Sequence, residues 1–165
     1  MQNPFNVIFK EHNLGAADEA FIKDPLIDLH HLIHAISPAE LCDALNACSE
    51  SHHSVHQLSG INAIKSEFDF GTLFISAEKV WTEESACEVL LFSIRLKGIA
   101  FNDVSKINSI NIKYPTIQLI NENNDLICRM FQTLRGGRTV ENLLWSVIKF
   151  VHDSERLHKD LTIFS

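Results

Sequence analysis

The amino-acid sequence predicts an α+β fold. Three observations carry this: strand-like apolar runs between positions 61 and 98, the last of them (87–98) with mostly two-residue alternation, a strand–turn–strand pattern across 116–134, and two amphipathic helices opened by capping residues at Ser37 and Thr139. Of the 165 residues, 45% are hydrophobic and 21% charged, enough to build a core and to argue against disorder. The length suits one domain with an appendage. Residues 1–36 read as an N-terminal extension with a short helix, and residues 37–165 as the body.

The first 24 residues are mixed in character, with a helical candidate at 16–22 and with Phe5, Val7, Ile8 and Phe9 available to dock on the body. Leu26, Leu29, Ile33 and Ile36 then recur at helical spacing, which predicts a short amphipathic helix closed by Ser37-Pro38. Ser37 also starts the next helix. Its hydroxyl can accept from a free amide, Pro38 fits the first helical position, and Glu40 can reach back to the cap. Leu41, Ala44, Leu45 and Cys48 give that helix one apolar face. Residues 49–60 read as a polar, His-rich connector ending in Ser59-Gly60.

Strands are predicted at 61–68 and 72–81, with Gly71 between them, and at 87–98. In the third run Glu88, Leu90, Phe92, Ile94 and Leu96 fall on one side, and Val89, Leu91, Ser93, Arg95 and Lys97 on the other. A helix competes for this run, because residues 82–85 can cap one. The wetter second side favours a sheet.

Asp103 can cap a short helix carrying Val104, Ile107, Asn108, Ile110 and Asn111, which Pro115 ends. A strand at 116–120 follows. Residues 121–125 are turn formers that tolerate left-handed angles, and a return strand at 126–134 completes an antiparallel hairpin. Gly136-Gly137 breaks the chain, and Thr139 caps a long helix with Glu141 near its positive end. Leu143, Leu144, Val147, Ile148, Phe150 and Val151 form its apolar stripe. Six such side chains, at about 1.5–3 kcal/mol each when buried, make this helix a main anchor of the fold.

Composition also narrows function. The net charge is −7, and the densest basic stretch holds only Arg135, Arg138 and nearby Lys149, so nucleic acid is not the expected partner. An acidic surface suits protein partners of basic or mixed charge. The sequence shows no signal-peptide pattern and no run of eighteen apolar residues, so the expected location is cytoplasmic, away from membranes. The four Cys form no CxxC pair and read as reduced thiols. Cys42 and Cys48 are six apart on one helix and do not face each other.

Reactive motifs are sparse. There is no GxSxG elbow, and the stretch 136–139 lacks the lysine of a phosphate loop. Arg135 and Arg138 sit beside a helix start, where they can hold an anion or pair with carboxylates. The nine His supply the alternative to a binding module. His30 and His34, four apart on the expected helix, would share a face, and His52, His53 and His56 form a second cluster in the connector. Together they suggest a haem or transition-metal carrier using His30, His34, His52 and His56; the plain reading is surface or partly buried His without a metal. Trp145, beside the buried stripe, suits either a partner surface or a core edge.

The order Ile107-Asn108-Ser109-Ile110-Asn111, then a hairpin with a polar turn, Gly136-Gly137, and a helix opening at Thr139-Val140-Glu141-Asn142-Leu143-Leu144 resembles the YbjN domain family. Ile110 departs from the aromatic often found there. The likeness covers residues 100–160, and 37–98 only in element order. It implies a type III secretion chaperone-like fold, a twisted antiparallel sheet packed against helices. The two Asn, one helical turn apart, can lock their helix to neighbouring backbone. The resemblance also implies a non-enzymatic, chaperone-like or regulatory module without cofactor, commonly a homodimer, that holds a partner polypeptide through a sheet edge or an apolar patch. Trp145, Arg135 and Arg138 are the candidate partner-binding residues.

Overall fold

A computed structural model describes residues 28–48, 52–58, 61–79, 81–82, 85–99 and 104–163. Alternation builds the sheet. Strands β2 (Ser54–Leu58), β3 (Ile61–Phe68), β4 (Gly71–Ala77), β5 (Val89–Leu96), β6 (Gln118–Glu122) and β7 (Asp125–Thr133) form one six-stranded antiparallel sheet in the order β2-β3-β4-β5-β7-β6. Register places Ile64 opposite Ile75, Leu73 opposite Ile94, and Phe92 opposite Met130. One face therefore collects Ile64, Leu73, Ile75, Leu90, Phe92, Ile94 and Cys128, each fully buried.

Helices cover that face. In α1 (Pro38–Cys48) Leu41, Ala44 and Leu45 point into the core; in α3 (Val140–Ile163) the whole predicted stripe from Leu143 to Val151 is buried. The Phe150 ring lies 6.0 Å from that of Phe92 and joins α3 to the centre of β5. The helix start at Ser37 forms as expected. The Glu40 amide donates to Ser37 Oγ at 3.3 Å, and the Ser37 amide donates to Glu40 Oε2 at 2.8 Å. That backbone bond is the main reason the Glu40 carboxyl lies below its ordinary pKa. Thr139 caps α3 by accepting from the Asn142 amide. The turn between β6 and β7 holds Asn123 and Asn124 at φ 54° and 69°, the left-handed pair that a two-residue hairpin needs.

The helix expected before Ser37 does not form within residues 28–36. Strand β1 (Leu32–Ile33) pairs instead with β8 (Arg138–Thr139), and Ile36 bridges to Cys87. The carbonyls of this strap are already spent: His31 O accepts from the Val140 amide, and Leu29 O from the Glu141 amide. Two of the free amides at the start of α3 are thereby satisfied, which a helix over the same residues could not do. Leu29 and Ile36 are still buried, so the apolar spacing was read correctly as inward-facing but assigned the wrong backbone.

The connector at 49–60 is corrected too, since it contains the edge strand β2. The second strand stops at Ala77, short of 81. Trp81 follows it as a fully buried residue whose indole donates to Ile36 O at 2.9 Å. The run at 87–98 is a strand and not a helix; Thr82 and Ser85 form a local bridge instead of a cap. Helix α2 (Val104–Lys113) packs by β6. The helical candidate at 16–22, the apolar residues Phe5 to Phe9 and the Asp103 cap lie outside the described residues.

Candidate binding surface

The second face of the sheet has no described helix on it. Register sets His56, Ala63, Ser76, Leu91 and Phe131 in one row across five strands, and Phe74, Ser93 and Arg129 in the next. Apolar side chains gather at one end. Phe131 is 64% exposed and Ile61 41%, with Val89, Leu91 and Phe74 half-buried. Large exposed apolar residues grouped on one face mark an interaction surface more often than isolated ones do.

The other end is charged, with its cations paired to carboxylates. Lys65 and Lys97 both approach Glu67, at 2.9 and 3.2 Å, Arg95 lies 3.4 Å from Asp125, and Arg129 2.9 Å from Glu122. The Lys65 ammonium beside Glu67, with the Thr72 hydroxyl, holds that carboxyl down at about 2. These exposed pairs add little stability. They leave a face with one greasy and one zwitterionic end.

The two sheet edges differ. On β6 the Asn111 carboxamide accepts from the Leu119 amide at 2.7 Å and donates to the Leu119 carbonyl at 3.2 Å. A side chain from α2 thus takes the place of a neighbouring strand in the middle of that edge. Asn46 of α1 does the same to His53, accepting from its amide at 2.9 Å and donating to its carbonyl at 3.0 Å. His53, however, lies before β2 begins, and among the described residues nothing covers the strand itself. Asn111 performs the locking role expected of it, whereas Asn108 is exposed.

The predicted site residues do not converge. His30 and His34 sit on the strap, both exposed, with His30 Nδ1 3.8 Å from Glu141 Oε2. The face they would have shared does not exist, because the segment is not helical. His52 is exposed, and His56 stands on β2 with its Nε2 2.8 Å from Ser54 Oγ. His53 is buried, its Nδ1 2.5 Å from Ser66 Oγ, and burial pushes its pKa down to about 4. Among the described residues no group of three His, Cys, Asp or Glu is placed to hold a metal ion.

Arg135 pairs with Glu88 at 2.8 Å, Arg138 reaches Ser146 Oγ at 3.4 Å, and Trp145 is half-buried against the core. A groove of about 900 Å³ runs between the strap and α1, with Ile36, Ala44 and Val140 buried along it and Asp28, Glu40 and Asp43 exposed. The thiols are poor nucleophiles where burial acts on them: it raises Cys42 and Cys48, and pushes Cys128 up to about 12.

Sequence reasoning missed Phe131 and the β2 edge. The signal for Phe131 was present in parity: Leu126, Cys128 and Met130 alternate inward, which leaves Phe131 on the side of Arg129 and Thr133. No protein-family model matches the chain, and searches of curated proteins and of solved structures return no match. No described helix is long and apolar enough to cross a membrane.

Proposed function

We propose that this chain is a non-enzymatic protein-binding module, chaperone-like or regulatory, that holds a partner polypeptide on the sheet face that no described helix covers. One observation carries the reading: Phe131, at 64% exposure, is paired across β5 and β7 with Leu91 in an apolar zone that no described helix covers. A partner segment with apolar side chains would gain about 25 cal/mol for each Å² of apolar surface it removes from water there. The paired charges at the other end set orientation. The resemblance to the YbjN domain family points the same way, as does the acidic net charge, which favours partners of basic or mixed charge. We further read the working form as a pair of identical copies acting in the cytoplasm.

The test is suppression of aggregation. A heat-unfolded model protein is followed by light scattering with increasing amounts of the chain, either wild type or carrying Phe131→Asp or Ile61→Asp. Both positions are exposed, so the variants should keep the wild-type unfolding free energy within about 0.5 kcal/mol. The wild type lowers scattering in proportion to its concentration, and each variant loses most of that effect. Equal protection by wild type and both variants, or none at any ratio, would remove the open face from the proposal.

A further inference from the structure

An antiparallel strand alternates residues whose main-chain groups point to its neighbour with residues whose groups point away. The Asn46 bonds fix the phase on β2. Both the amide and the carbonyl of His53 point away from β3, so by two-residue alternation those of Val55 and Gln57 do as well. Nothing described covers them. Strand β2 also lacks the usual guards of a free edge: it contains no Lys, Arg, Asp, Glu or Pro, and its ladder with β3 runs without a bulge.

The opposite edge is blocked at its middle. On β6 the outward-pointing groups of Leu119 are both taken by Asn111, and the Ile117 amide donates to the Tyr114 carbonyl. A β2 edge therefore cannot extend across the β6 edge of another copy, and head-to-tail chains of sheets are blocked. The contact still available between copies is isologous, β2 on β2, which closes at two subunits.

We propose that two copies pair through β2 in antiparallel register about a two-fold axis at His56, joining their sheets into one of twelve strands. The proposal rests on reading the working form as a pair, and names the surface that makes it. The register is self-complementary. Val55 meets Gln57 of the second copy and Gln57 meets its Val55, each pair exchanging two main-chain hydrogen bonds. His56 meets His56 in the close, non-hydrogen-bonded position. No charged side chain of β2 meets its own kind, in a chain whose net charge is −7. Val55, 37% exposed on the core-side face, gains cover. The faces of both copies that no described helix covers become one surface, with His56 at its centre line.

The mass in solution tests this, measured by light scattering on a sizing column across a micromolar concentration series. Wild type is expected at twice the 18.7 kDa of one chain. Val55→Pro removes an amide that points away from β3, so the fold is kept, as circular dichroism checks, and the mass falls to 18.7 kDa. His56→Lys sets like charges across the axis and also halves the mass, and an equimolar mixture of His56→Lys with His56→Glu restores the double mass. A double mass unchanged by Val55→Pro and His56→Lys overturns the surface while leaving the pair intact. Loss with Val55→Pro alone overturns the axis at His56. A single-chain mass for wild type throughout the series, including one that changes only on adding an extended peptide, overturns the surface and the pair together.

Discussion

His53 shows how one buried ring can set the acid limit of the protein. It is 1% exposed beneath the β2 edge, and burial, with a smaller contribution from His52, lowers its pKa from 6.5 to about 4. Between those values the unfolded chain takes up a proton that the folded chain refuses. Stability from the neutral ring is thus complete above pH 6.5 and falls as pH drops towards 4, by up to about 3 kcal/mol. Urea unfolding of wild type and His53→Gln at pH 7 and pH 4 measures this. The wild type should lose about that much more than the variant over the interval; parallel losses would show that the ring does not govern acid sensitivity. The cluster of His at 52, 53 and 56 was plain in the sequence, but its division was not. Which ring turns inward depends on the phase of β2 and on Ser66, thirteen residues away on β3.

Among the elements, those with local causes were the legible ones. The capping box at Ser37, the Asn-rich turn, the stripe of α3 and the alternation of β5 are all written within a few residues of where they act. The strap at 28–36 and strand β2 were not. The strap takes its backbone from partners distant in sequence, β8 and Cys87, whereas β2 pairs with the adjacent β3 and was hidden by its polar residues Ser54, His56 and Gln57. The double glycine before β8 lets those distant parts meet. Gly136 and Gly137 both adopt φ 87°, but a methyl on Gly136 would meet nothing within 4 Å, while one on Gly137 would lie 3.0 Å from His34 Cε1 and 3.1 Å from the Leu32 methyls. Gly136→Ala should therefore cost about 1–2 kcal/mol for the left-handed backbone alone. Gly137→Ala should cost more, because it also pushes the strap off β8. Thermal unfolding of the two variants compares them, and an equal cost would mean that the strap yields freely.

At the scale of the whole molecule, a helix, an asparagine and a hairpin occur twice, as α1 with β2 and β3 and as α2 with β6 and β7, at opposite ends of one sheet. The α+β class and the hairpin order could be read from the sequence. The second face could not, because it is defined by where no described helix lies, and helix placement is a property of the assembled core. The two asparagines have a kinetic consequence. Amides at a sheet margin ordinarily trade their protons with solvent quickly, yet those of His53 and Leu119 are each held by a side-chain oxygen. Deuterium uptake followed by NMR should find these two slow, with Val55 and Gln57 fast in the isolated subunit, and Asn111→Ala should release Leu119 alone. The protein would then carry an isotopic record of which margin is shut and which is left for company.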